Sequence, residues 1–255
     1  MLVSKYSASG NDFVIFSADE KKDRAKLAKV ICDRHDGVGA DGLIVVLPSG
    51  ECDFEWQFYN SDGSIASMCG NGARACAHYA FANGIAPKNM RFLTGAGIIN
   101  AEVNGDIVEV ELTKPKSLSE PFKELGFTWY LCDTGVPHLV TIVDSLEIFD
   151  LETARKMRYN CDANVNFVTI KNSGKLFVRT YERGVEDETL ACGTGMAAAF
   201  FTVFDIGRAD AAVTVIPKSG ERLFLRINDG KILFKGRVKF TFTANINKEI
   251  DEVYG

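Results

Sequence analysis

Two short stretches of the chain each place a cysteine directly before a glycine-containing turn and a run of small residues. They are MCGNGARACAHYAFANG at 68–84 and ACGTGMAAAFFTVFDIG at 191–207. A helix that begins just after a cysteine presents unpaired N–H groups and a partial positive charge to it. A thiol there is more acidic than usual, and backbone N–H groups there can also hold a carboxylate. Four glycines would let the backbone approach such a ligand closely: Gly70, Gly72, Gly193 and Gly195.

Two such thiols, one in each half of a chain, suggest stereochemical inversion at a carbon atom. If the halves face each other, Cys69 and Cys192 flank one cleft from opposite sides. One thiolate then removes the Cα proton, and the other thiol delivers a proton to the opposite face. The two helix N-termini would bind the α-carboxylate and stabilise the charge that develops on it. This chemistry requires no metal and no pyridoxal phosphate, and we expect neither.

The surroundings of the two cysteines repeat along the chain. An offset of 123 residues separates Cys69 from Cys192 and Gly84 from Gly207. Nearly the same offset relates two hairpin signals, Asn-Gly at 104–105 and Asp-Gly at 229–230, and the glycines Gly10 and Gly135. Self-similarity at a fixed offset indicates two copies of one structural unit.

The repeat predicts an α+β protein made of two pseudo-symmetric domains. We expect each to be a mostly antiparallel sheet or barrel wrapped around a central buried helix, with the cleft between the two. The stretch LTKPKSLSEPF at 112–122 has the prolines and polar residues of a linker. The predicted halves are therefore 1–116, onto which the tail 238–255 packs back, and 117–237.

Hydrophobic periodicity locates the elements of each half. Alternating apolar residues predict strands at 54–60 and 176–182, and a continuous β-branched run predicts another at 42–48. Hairpins are expected over 98–112 and 222–236. Apolar residues at helical spacing predict a helix within 22–34, and apolar runs predict buried helices over 70–83 and 193–206, closed by Gly84 and Gly207.

Composition excludes several classes of function. The chain has 255 residues, a net charge of −5 and no apolar run near the length of a membrane span. This balance does not suggest binding to nucleic acid or to an anionic membrane surface, and the N-terminus lacks the pattern of a signal peptide. We expect a cytoplasmic protein. Seven cysteines without a CxxC pair, and three histidines, favour neither a disulfide scaffold nor a metal site.

Several motifs together resemble the diaminopimelate epimerase family. They are ASGNDFV, GVGADGLIVV, CGNGARA, TGVPHLV and YERGVEDETLACGTG, which occur in that family's order over most of the chain. The resemblance implies a cofactor-independent interconversion of LL- and meso-2,6-diaminoheptanedioate, a step that supplies lysine and cell-wall precursors. It also implies a small-molecule diamino-diacid substrate and is compatible with a homodimer.

The resemblance assigns roles to residues of this sequence. Cys69 and Cys192 would be the catalytic base and acid, exchanging roles with the direction of reaction. His138 and Glu182 correspond to the polar residues that tune the two thiols. The N–H groups of Gly70-Asn71 and Gly193-Thr194 would bind the carboxylate at the reacting centre. The remaining substrate contacts would be Asn11, Asn60, Asn164, Glu182 and Arg183, of which the last suits a carboxylate by its bidentate geometry.

The other cysteines and histidines are expected to be structural, namely Cys32, Cys52, Cys76, Cys132, Cys161, His35 and His78. Three other functions compete with the epimerase. A two-cysteine isomerase of proline or hydroxyproline would need no grip for a distal amino-carboxylate. A cysteine hydrolase using Cys69 and His138 would leave Cys192 and the duplication unexplained. A dithiol redox sensor would cross-link Cys69 and Cys192, which we expect only as an inactivating side reaction.

Overall fold

The computed structural model describes residues 1–112, 114–116, 118–247 and 250. Its strands are β1 (Leu2–Ala8), β2 (Asn11–Ser17), β3 (Gly42–Leu47), β4 (Phe54–Asn60), β5 (Asn89–Thr94), β6 (Gly97–Asn104), β7 (Ile107–Glu111), β8 (Phe122–Glu124), β9 (Phe127–Asp133), β10 (Pro137–Ile142), β11 (Asn164–Asn172), β12 (Lys175–Glu182), β13 (Asp187–Thr189), β14 (Ala212–Ile216), β15 (Leu223–Asn228), β16 (Lys231–Arg237) and β17 (Lys239–Asn245). Its helices are α1 (Ala25–Cys32), α2 (Gly70–Ala82), α3 (Leu151–Cys161) and α4 (Gly193–Asp205), with a 3₁₀ helix at Leu146–Ile148.

The chain divides into two compact units. The first contains Met1–Val110 and the segment that begins at Gly236, and the second contains Glu111–Lys235. The sequence-based division at 116/117 lies a few residues later, and Ser117 itself is outside the described residues. In the tail 238–255, strand β17 pairs with β1 of the first unit, whereas 248–249 and 251–255 are outside the described residues.

The first unit is a twisted ladder of strands in the order β17-β1-β2-β3-β4-β5-β6-β7. Neighbours are antiparallel except for β2–β3 and β4–β5, which are parallel. A parallel pair cannot be joined by a hairpin and needs a crossover connection. Helix α1 lies in the first of these crossovers and α2 in the second. The predicted strands, hairpin and helices of this half are confirmed, although α1 is shorter than its predicted window.

The second unit repeats this plan. Its ladder runs β8-β9-β10-β11-β12-β14-β15-β16, and β13 also pairs with β12. The parallel pairs are β10–β11 and β12–β14, and helices α3 and α4 lie in their crossovers. Apart from β13 and the edge strands β17 and β8, both units therefore use the same connections in the same order. The expected α+β class is confirmed.

Helices α2 and α4 are the central buried helices of their units. Small side chains such as Ala73, Ala77, Ala197 and Ala198 are fully buried, so neighbouring strands can approach the helix backbone closely. Each helix ends in a Schellman motif with its glycine at positive φ, Gly84 at +70° and Gly207 at +74°. The predicted ends are thus confirmed. No helix among the described residues has the length and apolarity needed to cross a membrane.

Candidate active site

Cys69 caps the N-terminus of helix α2. Its backbone is extended, at φ −148° and ψ 117°, and its Sγ accepts a hydrogen bond of 3.3 Å from the N–H of Gly72. The sulfur therefore fills the place that a serine or aspartate oxygen occupies in an ordinary N-cap. The cysteine is partly exposed, while Gly70 and Asn71 behind it are buried. This arrangement favours a negatively charged sulfur, because the helix end contributes N–H groups and partial positive charge.

A chain of side-chain hydrogen bonds connects the start of α2 to the β1–β2 turn. Asn71 Nδ2 donates to Asn11 Oδ1 at 2.6 Å, and Arg74 donates to Asn71 Oδ1 at 3.0 Å and to Ser9 Oγ at 2.6 Å. Arg74 is completely buried. Ser9 and Gly10 both have positive φ, as a two-residue type I′ turn requires. The guanidinium thus fixes two of the predicted site residues, Asn11 and Asn71, to the turn.

Asn11 is held on its other side by a charged cluster. Asp41 Oδ2 accepts hydrogen bonds from Asn11 Nδ2 at 3.0 Å and from the N–H of Asp12 at 3.1 Å. Asp12 in turn pairs with Lys5 at 2.7 Å and with Arg34 at 2.9 Å. Burial acts to raise the pKa of Asp12, but hydrogen bonds and charge from Arg34 and Lys5 outweigh it and lower the pKa to about 2. Asp12 is therefore ionised at neutral pH, and Asp41, which it orients through Arg34, restrains Asn11.

Cys192 occupies the N-cap position of helix α4 in the second unit, again with an extended backbone, at φ −115° and ψ 112°. It is 7% exposed. Its Sγ lies 3.5 Å from Thr194 Oγ1, which in turn lies 3.0 Å from His138 Nε2. The predicted proximity of His138 to a thiol is thus mediated by the hydroxyl of Thr194.

His138 is buried in a polar cluster. Its Nδ1 lies 3.1 Å from Asn166 Nδ2, and Thr180 Oγ1 donates to Asn166 Oδ1 at 2.9 Å. Burial, together with the nearby charge of Arg183, lowers the pKa of His138 to about 3. The imidazole is therefore neutral at physiological pH. It can orient a neighbour by hydrogen bonding, but it does not supply a positive charge to Cys192.

The residues behind the two cysteines differ in chemistry. In the first unit the equivalent strand positions carry the apolar side chains Phe13, Ile44 and Phe58; in the second they carry His138, Asn166 and Thr180. The rings of Phe13 and Phe58 meet edge-on with centroids 6.0 Å apart. The same backbone therefore presents an apolar wall behind Cys69 and a hydrogen-bonded polar cluster behind Cys192.

Two substrate contacts predicted in the second unit, Asn164 and Arg183, lie at the start of β11 and just after the end of β12. Asn164 Oδ1 accepts from the backbone N–H of Arg183 at 2.8 Å. The Arg183 guanidinium donates to the carbonyl oxygen of Asp162 at 2.9 Å and to its Oδ2 at 3.0 Å. Asp162, at φ +49°, forms the left-handed end of helix α3. Asn164 and Arg183 are thus brought together, with Arg183 held by the residue that terminates α3.

Asn60 and Glu182 occupy corresponding positions at the ends of β4 and β12. The amide of Asn60 donates to Ser64 Oγ at 2.9 Å, so it is fixed to the loop that precedes Cys69 rather than to the Asn11–Asn71 chain. Glu182 is partly exposed, and its carbonyl oxygen accepts from the N–H of Glu186 at 2.8 Å.

The other cysteines differ from these two. Cys32, Cys76 and Cys132 are buried, and burial raises the pKa of each thiol, to about 12 for Cys32 and Cys132. Such thiols are protonated and unreactive at neutral pH. Cys52 and Cys161 are only partly buried, although Cys161 packs against the apolar core of the second unit, as expected.

Sequence patterns did not single out Arg74, Asn166 or Thr180. Arg74 lies in a helix of small apolar residues, and Asn166 lies in the otherwise apolar strand sequence NVNFV. A charged or amide side chain at a position predicted to be buried is the signal that would have found them, because such groups require hydrogen-bond partners. Which partners they have is decided by strand register, which the sequence alone does not specify.

Comparison with known proteins gives a consistent assignment. The family model described as diaminopimelate epimerase matches residues 3–118 and 130–241. A relative named diaminopimelate epimerase from a Nitratiruptor species is 59% identical over 242 residues, covering 95% of this chain and 97% of its own. A relative of the same name from Helicobacter pylori is 45% identical over 257 residues, covering 94% of each chain.

Solved structures share the fold at much lower identity. A probable proline racemase from Agrobacterium radiobacter K84 superposes with a TM-score of 0.75 at 13% identity, covering 97% of this chain and 93% of its own. A Bacillus anthracis protein of the phenazine biosynthesis PhzF family gives 0.73 at 14% identity, covering 97% and 99%. These similarities establish the fold, and the family match establishes the relationship. The chain belongs to the diaminopimelate epimerase family, a family of isomerases.

Proposed function

We propose that this protein interconverts LL- and meso-2,6-diaminoheptanedioate without a cofactor, using Cys69 and Cys192 as its two acid–base groups. The observation that carries the proposal is the duplication: two equivalent crossover helices, α2 and α4, each begin at one of these cysteines. Family membership supplies the substrate, because the relatives are named for this reaction. The reaction would contribute to lysine and cell-wall precursor synthesis in the cytoplasm.

The proposed mechanism moves two protons across one carbon. A thiolate removes the Cα proton and becomes a thiol, while the opposite thiol donates its proton to the other face and becomes a thiolate. The electron pair left by the first transfer is delocalised onto the α-carboxylate until the second transfer occurs. Which of Cys69 and Cys192 acts as base depends on the isomer bound. Inversion by this route requires both sulfur atoms to reach the same α-carbon.

The helix starts would stabilise the intermediate charge. Backbone N–H groups at Gly70-Asn71 and Gly193-Thr194 are oriented by their helices before the substrate arrives, so little reorganisation accompanies the reaction. Glycines at these positions leave room for a carboxylate against the backbone. His138, which is neutral, and Glu182 would tune the ionisation of the thiols. His138 would act through the hydroxyl of Thr194.

The remaining substrate contacts are assigned to Asn11, Asn60, Asn164, Glu182 and Arg183, of which Arg183 would bind the carboxylate at the non-reacting end. This assignment is supported by contacts that restrain two of these side chains. Asn11 is fixed by Asp41 and Asn71, and Arg183 is fixed by Asp162. A restrained amide or guanidinium loses little entropy on binding. We further propose a homodimer, as the resemblance suggests; light scattering after gel filtration would measure this.

Proton exchange tests the proposal. The purified, reduced protein is incubated with LL-diaminopimelate in heavy water, and deuterium at Cα and the meso isomer are followed for wild type, Cys69→Ala and Cys192→Ala. We expect wild type to invert and label the substrate, and both variants to lose inversion. A hydrolase that uses Cys69 would keep its activity in Cys192→Ala.

Exchange with proline or hydroxyproline but not with diaminopimelate would contradict the proposed substrate but not the proposed mechanism. Absence of exchange with all three compounds would contradict the mechanism as well. Cys76→Ala is the matched control, because this buried cysteine lies on α2 and should not affect exchange.

A further inference from the structure

We propose that Asn166 is a positioning residue that holds His138 in the tautomer with its proton on Nε2, so that the Thr194 hydroxyl donates its hydrogen to Cys192 Sγ. The inference rests on the proposed function in one respect, namely that Cys192 acts as an acid–base group. The hydrogen-bond directions themselves follow from the geometry of the second unit. The carbonyl oxygen of Leu139 can only accept, and the other hydrogen-bond directions are inferred from it in turn.

The backbone carbonyl of Leu139 determines which atoms donate and which accept in this series of hydrogen bonds. Asn166 Nδ2 lies 2.9 Å from the carbonyl oxygen of Leu139, which can only accept. The amide nitrogen must therefore be on that side, and the amide oxygen faces the hydroxyl of Thr180, 2.9 Å away. Exchanging the two ends of the amide would place oxygen against oxygen at Leu139. Asn166 and Thr180 are both almost fully buried, so water does not offer an alternative partner.

This orientation determines the tautomer of His138. The second hydrogen of Asn166 Nδ2 faces His138 Nδ1 at 3.1 Å, so Nδ1 must accept. A neutral imidazole that accepts at Nδ1 carries its proton on Nε2. Asn164 Nδ2 also lies near Nε2, but at 3.5 Å. That contact is at the limit of hydrogen bonding and is outweighed by the shorter contacts to Asn166 and Thr194.

The last step fixes the hydroxyl of Thr194. His138 Nε2–H donates to Thr194 Oγ1 at 3.0 Å, which leaves the hydroxyl hydrogen to point elsewhere. Cys192 Sγ lies 3.5 Å from the same oxygen, within the range for a hydrogen bond to sulfur. The relay from Leu139 to Cys192 thus ends in a donor aimed at the sulfur. Such a donor stabilises the thiolate relative to the thiol.

The opposite tautomer would reverse the last step. With the proton on Nδ1, Nε2 would accept from Thr194, and the hydroxyl hydrogen would turn away from Cys192. The first unit provides a natural comparison, because Phe13, Ile44 and Phe58 occupy the equivalent positions behind Cys69 and can form no such relay. Asn166 therefore acts on one of the two thiols.

The tautomer is measured directly by nitrogen NMR of protein labelled in its histidines. The chain has three histidines, so the His138 signals are assigned by their loss in His138→Gln. We expect the Nε2–H form in wild type at pH 9 and the Nδ1–H form in Asn166→Asp, whose carboxylate can only accept. Ile44→Val, at the equivalent position of the first unit, should leave the spectrum unchanged. An Nδ1–H signal for His138 in wild type would overturn the proposal, and this result does not depend on whether Asn166→Asp folds.

The consequence for Cys192 is measured by alkylation with iodoacetamide from pH 6 to 10, with each cysteine followed by peptide mass spectrometry. In Asn166→Asp we expect the rate at Cys192 near pH 7 to fall about tenfold, since a hydrogen bond to a charged group is worth roughly one pKa unit. The rate at Cys69 should stay within about twofold. Equal changes at both cysteines would indicate a general loosening of the fold and overturn the proposal.

Repeating the Asn166→Asp substitution in a Thr194→Val protein distinguishes the series of hydrogen bonds from a local packing effect. Thr194→Val removes the hydroxyl, so Asn166→Asp should cause no further loss at Cys192 in that background. A further tenfold loss would show that Asn166 acts by another route. Neither the spectra nor the alkylation rates involve a substrate, so these results stand whether or not the protein epimerises diaminopimelate.

Discussion

Gly195 and Asn166 face each other with no room for a methyl group between them. A Cβ built on Gly195 would lie 2.4 Å from Asn166 Oδ1 and 3.2 Å from Thr180 Oγ1. At the equivalent position of the first unit, a Cβ on Gly72 would meet Cys69, Ile44 and Phe13 at 3.4 Å, which is ordinary contact. Gly195, the second glycine of the ACGTG motif, is therefore required by the polar cluster beneath it.

We predict that Gly195→Ala lowers the free energy of unfolding by about 1–3 kcal/mol, because the buried amide must move to admit the methyl group. Gly72→Ala is the matched variant and should be within about 1 kcal/mol of wild type, since the gain in helix propensity offsets slight crowding. Urea unfolding of the two variants checks this. Equal losses would mean that the environment of Gly195 is no tighter than that of Gly72.

Arg74 should be essential for the stability of the first unit. Arg74→Met removes the donors to Ser9 and Asn71 and leaves their buried oxygens with fewer partners. We expect a loss of about 2–4 kcal/mol in the free energy of unfolding. Arg91→Met on the exposed side of β5 is the control and should change it by less than about 0.5 kcal/mol. If Arg74→Met matches this control, the buried guanidinium has no structural role.

Acid sensitivity should depend partly on Asp12. Its pKa in the folded protein, about 2, lies below the ordinary value of 3.8, so its contribution to stability is present above pH 4. That contribution is lost as the pH falls through 2. We therefore expect Asp12→Asn to be less stable than wild type at pH 7 and the difference to shrink between pH 4 and pH 2.

Urea unfolding at a series of pH values measures this difference. The exposed Asp19→Asn should follow the wild-type curve throughout. A difference between Asp12→Asn and wild type that stays constant down to pH 2 would argue against ionic pairing of Asp12 with Lys5 and Arg34.

Arg183→Lys should weaken substrate binding more than it slows the chemical step. Lysine keeps the charge but cannot form the planar bidentate contact with a carboxylate. We expect the KM for LL-diaminopimelate to rise by about tenfold, with kcat changed by less than about threefold. Arg155→Lys, on the exposed face of α3, should leave both constants unchanged. A fall in kcat at unchanged KM would place Arg183 in the chemistry rather than in binding.

The features predicted correctly from sequence are those set by local pattern. Helices α2 and α4 and the two hairpins follow from apolar runs, turn dipeptides and closing glycines, all of which lie within a few residues of what they determine. Helix α3 was not predicted, although Asp150 caps it and Glu152 follows in its first turn. Its low apolar content hid the helical periodicity, because only Ala154 and Met157 are buried on it.

The polar cluster behind Cys192 could not be predicted for a different reason. His138 and Asn166 are on neighbouring parallel strands, and Thr180 is on a third. Their contact depends on the register of two strand pairs, and a shift by one residue would turn each side chain to the opposite face. The repeated cysteine–glycine pattern singled out Cys69 and Cys192, but it did not distinguish the apolar wall from the polar cluster.

That difference between the walls has a consequence for the enzyme between turnovers. On the proposed mechanism, the free protein exists as two protonic isomers, with the single thiolate on Cys69 in one and on Cys192 in the other. If the Thr194 hydroxyl donates to Cys192 Sγ, as proposed, it favours the second isomer, which is ready for the stereoisomer whose proton Cys192 removes. The ratio of LL- to meso-product at equilibrium is a property of the substrates and does not change. The asymmetry sets the proportions of the two protonic isomers in the free enzyme. It thereby sets the substrate concentration above which each direction of the reaction is limited by the return of the proton from one cysteine to the other.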